Sequence, residues 1–224
     1  VAFTEVVNPQ RLTRRRLLRL AGTAGLTAAA VGCGLPAAHA TPTAHPLLCR
    51  DAWGARPPTG PGTPHTPTRL TLHHTEVPLL ANNDAPARLR QHQRYHQDSH
   101  GWIDIAYHIS VDRDGNLYQL RDPDITGDTA TSYDPTGHFL VVLEGDFDQQ
   151  SVTEEQLNGA ALAFAWASTR YGIPADTLTG HRDHAPETTC PGADLYAYLS
   201  NGELKRRIDA LLADGPVILR TVCR

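Results

Sequence analysis

Two histidines and one cysteine stand out for where they sit. His73 closes the alternating run Leu70-Thr71-Leu72-His73-His74. His181 follows Leu178-Thr179-Gly180, and Cys190 opens the turn Cys190-Pro191-Gly192. Two imidazoles and one thiolate suit a tetrahedral Zn2+ ion and leave its fourth position open. That is the arrangement of a hydrolytic zinc; structural zinc is normally closed by four protein ligands. No His-Glu-x-x-His run occurs, which sets aside a thermolysin-like site. Each residue has a plainer reading on its own. A histidine at a strand end is usually a hydrogen-bonded structural residue, and a cysteine before Pro-Gly is usually a small buried apolar one. Twelve histidines also make coincidence easier.

The elements around these residues must hold them in place. Arg69–His74 alternates and is rich in β formers, which predicts a strand. Helix formers run over Ala87–Gln97, with Leu89 and Tyr95 as candidate inward positions. Ile103–Val111 reads as a strand, Asp114-Gly115 as a hairpin turn, and Asn116–Leu120 as the returning strand. His138–Glu144 is an apolar run suited to a central strand. Ser151–Tyr171 is the clearest helix: Thr153 and Gln156 form a capping box, and Leu157, Ala160, Ala161, Phe164 and Ala167 make one apolar stripe. Leu178-Thr179 predicts a short strand that delivers His181. Ala193–Ser200 and Glu203–Leu212 predict terminal helices. Strands alternating with helices predict a single α/β domain, a mixed central β-sheet flanked by helices.

Residues 1–40 read as an export signal and not as part of the fold. Thr13-Arg14-Arg15-Arg16-Leu17-Leu18 is a twin-arginine type start, an apolar stretch follows, and Ala38-His39-Ala40 is a small-residue end. The apolar stretch is shorter than the ~20 residues of a membrane span. A rival cleavage site ends at Cys33, which would make the chain a lipoprotein anchored through that residue. Residues 41–68 carry many Pro, Thr and Gly and read as an extended lead-in with Trp53 as its anchor. The main domain is expected over 46–214, with 215–224 as a C-terminal tail. The first 40 residues hold five of the 20 basic and one of the 24 acidic residues, so the remainder carries 15 against 23, net −8 with His neutral. Such a charge gives no purchase on nucleic acid. A monomer is the default expectation. Cys49 and Cys223 lie near the two ends of an exported chain, so either a Cys49–Cys223 disulfide or two free thiols follows.

Several ordered segments together resemble the zinc-dependent N-acetylmuramoyl-L-alanine amidases and the peptidoglycan recognition proteins related to them. These are Trp53-Gly54-Ala55-Arg56-Pro57, His73-His74-Thr75, Gly101-Trp102-Ile103-Asp104-Ile105-Ala106-Tyr107-His108, Asp114-Gly115, Gly180-His181-Arg182-Asp183 and Thr188-Thr189-Cys190-Pro191-Gly192. The resemblance runs from about Arg50 to Leu199. It implies zinc on His73, His181 and Cys190, a catalytic role for Tyr107 beside the metal, and help from Thr188 in holding an oxyanion. It implies peptidoglycan or a muropeptide as partner, and cleavage of the amide between N-acetylmuramic acid and L-alanine. Recognition members that do not cut typically lose the cysteine, which this chain keeps.

The chain departs from that pattern in three places. The interval from His181 to Cys190 is one residue longer, which bears on the placement of Thr188. Thr129 stands where many relatives have a histidine. Val142 stands where some bacterial members have a catalytic glutamate. Glu144, two residues on and on the same strand face, is the alternative base, its ordinary reading being a solvated strand-end carboxylate. His74 is expected to support the ligands from behind, and His184 to sit in a loop. Three functions compete: an exported amidase, a peptidoglycan receptor that does not cut, and a zinc-stabilised structural domain in which His74 or His184 fills the fourth position.

Overall fold

The computed structural model describes residues 44–223. The export signal over 1–40, and Cys33 within it, lie outside the described residues. The chain enters through strand β1 (Ala44–Leu48) and a single helical turn α1 (Arg50–Trp53), which Gly54 ends in a left-handed conformation at φ 71°. Trp53 is fully buried and its indole N–H donates to the Gln119 carbonyl at 2.8 Å. The expected lead-in is therefore in part a strand and a helical turn. Next come β2 (Arg69–His74), α2 (Ala85–Ser99), β3 (Ile109–Val111), β4 (Leu117–Gln119) and β5 (His138–Leu143). The chain closes with α3 (Glu154–Tyr171), β6 (Thr179–Gly180), α4 (Ala193–Ser200), α5 (Glu203–Ala213) and β7 (Ile218–Val222).

The seven strands form one mixed sheet in the order β6-β2-β5-β3-β4-β1-β7. Only β3 and β4 pair antiparallel; the other neighbours are parallel. The stretch expected as a C-terminal tail is thus edge strand β7, lying parallel to β1 with Ala44 opposite Ile218. Cys49 and Cys223 are joined in a disulfide at the end of this pair.

Alternation along the central strands splits the core in two. Leu70, Leu72, Phe139, Val141 and Leu143 face α3, α4 and α5 and pack with Leu157, Phe164, Leu195 and Ile208. Val142 faces the other way, with Trp53, Leu89, Ile105 and Leu120. The five stripe residues of α3 are all buried, and its capping box forms: the Gln156 backbone N–H donates to Thr153 Oγ1, and the Gln156 side chain accepts from the Thr153 backbone. Helix α2 corrects the expected inward face. Leu89 is buried, but Tyr95 is 56% exposed. Six residues amount to roughly 600° around a helix of 3.6 residues per turn, so the two cannot share a face. The inward row is Ala85, Leu89, Gln93 and Gln97, and its two glutamines are polar for a reason. Gln93 accepts from the Arg56 backbone N–H and donates to Asp104 Oδ1, while Gln97 donates to the Pro57 and Ile103 carbonyls. Helix α2 thereby clamps two loops rather than packing apolar face to apolar face.

The expected strand over Ile103–Val111 begins only at Ile109. Asp104, Ile105, Ala106 and His108 before it are buried, yet the backbone bonds there go to single partners. The Ile105 N–H donates to Asp104 Oδ1, Ala106 N–H to His96 Nδ1, and His108 N–H to the Leu140 carbonyl. Among the described residues no helix is long and apolar enough to cross a membrane.

Candidate metal centre

The pleat of β2 sends Thr71 and His73 toward α2 and His74 toward the opposite layer. His73 sits at the C-terminal end of β2, opposite Val142 of β5. Strand β6 pairs with β2 on the other side, so Gly180 places His181 directly after the sheet edge, at the start of a short 3-10 turn. Cys190 returns to the same spot because the Arg182 backbone N–H donates to the Cys190 carbonyl at 3.0 Å. Gly192 lets this turn close. It has φ 87°, and a Cβ there would stand 2.6 Å from the Phe147 carbonyl carbon.

One ligand atom from each of His73, His181 and Cys190 lies within 4.8 Å of the others. His73 Nδ1 is 3.7 Å from Cys190 Sγ, and the two imidazole centroids are 4.7 Å apart. All three are nearly buried, at 2, 8 and 6% exposure. Burial holds the His73 imidazole well below its ordinary pKa, and the His181, His138, His74 and His184 imidazoles depress it further. Burial also lowers His181, to about 4. Both rings are therefore neutral at physiological pH, as a metal ligand must be. Burial pushes the Cys190 thiol up to about 12, against a hydrogen bond from the His74 backbone that lowers it. Without a cation the thiol stays protonated; a divalent ion supplies the charge that would ionise it. The donor set, its spacing and its neutral imidazoles fit Zn2+, with three protein ligands and one position left for another.

These residues open on a cavity of about 270 Å³. Tyr107 and Thr188 line it, as do Tyr95, His96, His100 and Trp102 on the α2 side. The Tyr107 ring lies 5.1 Å from that of His73, and burial raises its phenol well above the ordinary range. Thr188 Oγ1 accepts from the Cys190 backbone N–H at 3.2 Å. A larger cavity, about 550 Å³, lies between α3 and α5. Its only histidine is His45, with no cysteine beside it. Donor chemistry, not volume, therefore locates the site.

The remaining expected residues fall as follows. His74 touches the centre through its backbone, whose N–H donates to Cys190 Sγ at 3.4 Å. Its ring turns away, accepting the Phe147 N–H at Nδ1. His184 Nε2 is 2.8 Å from Thr179 Oγ1 and lies outside the ligand cluster. Glu144 is not solvated: it is 1% exposed, accepts from Ser110 Oγ at 2.8 Å, and burial raises its pKa to about 7. It is not among the residues lining the cavity. Sequence reasoning missed two loop residues that contact the ligands from outside. Thr131 Oγ1 is 2.7 Å from His181 Nε2, and the Tyr133 hydroxyl is 3.5 Å from His73 Nε2. Isolated hydroxyls on a loop have no periodicity to betray them. The one available signal was Thr129, already noted as a departure from the family pattern, which also reaches His181 Nε2 at 3.4 Å.

Residues 63–193 match the family described as N-acetylmuramoyl-L-alanine amidase. Peptidoglycan-recognition protein LB of Drosophila melanogaster is 31% identical over 159 residues, covering 69% of this chain and 68% of that protein. The human N-acetylmuramoyl-L-alanine amidase is 33% identical over 199 residues, 85% of this chain; the chain spans about a third, 32%, of that protein's length. Among solved structures, peptidoglycan recognition protein LE in complex with tracheal cytotoxin, a monomeric diaminopimelic acid-type peptidoglycan, superposes with a TM-score of 0.63. It is 25% identical and covers 69% of this chain and 92% of that one.

Proposed function

The chain belongs to the N-acetylmuramoyl-L-alanine amidase family, and from that premise we propose that it is an exported zinc hydrolase that cleaves the amide between N-acetylmuramic acid and L-alanine in peptidoglycan. The observation that carries the reading is the complete His73, His181 and Cys190 set at the floor of a cavity that solvent reaches. Two neutral imidazoles and a thiolate leave a bound zinc with net charge +1, which supplies Lewis acidity and draws the pKa of water toward neutrality.

The chain's own residues do the rest. Tyr107 keeps its proton at any working pH because burial raises its pKa, so its phenol is a standing donor for the oxyanion that develops at the scissile carbonyl. Thr188 has its oxygen engaged by the Cys190 N–H, which leaves its hydroxyl proton free to point into the cavity as a second donor. Glu144 is assigned no step, since it is bound to Ser110 beyond the cavity wall. The wall of His96, His100 and Trp102, with His100 stacked on Trp102 at 4.3 Å, gives a muropeptide a flat surface to lie on. Export through the twin-arginine route is part of the proposal, resting on residues 1–40.

The test is zinc content together with release of the L-alanine amine from a muramyl-tripeptide, with and without a chelator. One zinc per chain and chelator-sensitive cleavage support the amidase. Zinc with binding but no cleavage moves the reading to a receptor, a reading favoured by the relative that holds a peptidoglycan fragment. A folded protein that takes up no zinc refutes the zinc hydrolase.

A further inference from the structure

We propose that Thr131 is a positioning residue for the metal centre: its hydroxyl accepts the Nε2 proton of His181 and so commits that ring to offer Nδ1 to the ion. The inference rests on the zinc reading above. A neutral imidazole carries one proton, and the nitrogen that binds a metal must be the bare one. His181 Nε2 already has a partner at 2.7 Å, Thr131 Oγ1, so Nδ1 is the nitrogen left to bind. His73 divides its nitrogens the same way. Nδ1 faces Cys190 Sγ at 3.7 Å, and Nε2 faces the Tyr133 hydroxyl at 3.5 Å. One short loop thus backs both imidazoles.

The hydroxyls can be ordered in one direction. If Thr131 Oγ1 accepts from His181, its own proton must go elsewhere, and Thr129 Oγ1 is 2.8 Å away. Thr129 Oγ1 also accepts the Thr131 backbone N–H at 3.1 Å, and its second lone pair is open to the Thr131 hydroxyl proton. The run is His181 to Thr131 to Thr129, with each oxygen accepting. In the reverse order Thr131 would donate to Nε2, the imidazole proton would move to Nδ1, and the metal position would be blocked. Metal-bound histidines usually give their outer N–H to a carboxylate, carbonyl or water. A threonine pair does so without adding negative charge beside the ion.

The loop is held firmly enough for this task. Arg121, 3% exposed, donates to the Thr126 carbonyl at 2.5 Å and pairs with Asp128. The Ser132 backbone N–H donates to Glu187 Oε1 at 2.7 Å, tying the loop to the segment that carries His181 and Cys190.

The test measures zinc affinity by competition with a chromophoric chelator, and the visible spectrum of the Co(II)-loaded protein, in wild type, Thr131→Val, Thr131→Ser and Thr129→Val. Loss of such an outer partner lowers metal affinity by about 10–100-fold. That loss and an altered Co(II) spectrum are expected for Thr131→Val, with a smaller loss for Thr129→Val and wild-type affinity in Thr131→Ser. Thr131→Ala replaces the valine if the valine does not fold. Wild-type affinity and spectrum in Thr131→Val would overturn the proposal. So would a serine variant as weak as the valine, because that would make packing, not the hydroxyl, responsible. A wild-type protein that binds no zinc would overturn the metal reading itself, which is a different result from equal binding by wild type and variant.

Discussion

Zinc uptake should release about one proton per ion at pH 6, and Cys190 should be its source. Burial holds the Cys190 thiol at about 12, while His181 sits near 4 and His73 well below its ordinary value. At pH 6 both imidazoles are already bare and the thiol is not, so the thiol is the ligand left to ionise. The thiol lies roughly three units above its ordinary value of 9.0, which at about 1.4 kcal/mol per unit makes ionisation cost about 4 kcal/mol more than in water. Zinc must offset that cost, so its apparent affinity should rise at least about tenfold from pH 6 to pH 7. Calorimetry in buffers of different ionisation enthalpy reads the proton count directly. Cys190→Ser should bind far more weakly and release none. A wild-type count of half a proton or less at pH 6, or an affinity unchanged between pH 6 and 7, would refute the reasoning, since either means the thiol is already ionised in the metal-free site.

Three further outcomes are expected. Tyr107→Phe should lower kcat by about 10²–10³ with zinc content unchanged, the size of losing one oxyanion donor; wild-type kcat would remove Tyr107 from the chemistry. Glu144 has a folded pKa of about 7, above its ordinary value of 4.5. Its protonated form therefore favours the fold: the contribution is present below about pH 4.5 and lost as pH rises through 7. Glu144→Gln should then be more stable than wild type by up to about 3 kcal/mol at pH 8 and no more stable at pH 4.5, as read by denaturant unfolding. Equal stability at pH 8 would show that the carboxylate is not strained by burial. Reduction of Cys49–Cys223, or the double serine variant, opens a closure of 174 residues. Chain entropy puts that at about 5 kcal/mol, and thermal melting should fall accordingly. The metal centre, on the far side of the sheet order, should keep its zinc at temperatures where the chain stays folded.

The sequence carried the candidate ligand cluster and the central strands better than the edges. His73, His181 and Cys190 were legible because each closes or follows a segment whose pattern is strong, and because the segments occur in a family order. The run His138–Glu144 was legible because a strand buried on both faces is continuously apolar. Strands β1 and β7 were not. Ala44–Leu48 contains a proline among mixed residues, and Ile218–Val222 is exposed at most positions, so neither shows a two-residue period. Their pairing is a long-range fact that no local window contains. The stretch before Ile109 misled for the opposite reason: much of it is buried like a strand, but its backbone N–H groups go to the Asp104 and His96 side chains and to one carbonyl of β5. Thr131 and Tyr133 were invisible because their importance lies in which nitrogen they face.

The direction of the strands settles how this domain can be held. Strand β2 runs parallel to β5 and β3, β3 runs antiparallel to β4, and β4 runs parallel to β1, which runs parallel to β7. Strands β1 and β7 therefore point opposite to β2, whose C-terminal end carries His73. Val222 and the Cys49–Cys223 bridge stand at the end of the sheet away from the cavity. A tag, a bead or a surface joined after the last strand would grip the molecule from behind and leave the mouth of the cavity turned outward, free of the attachment.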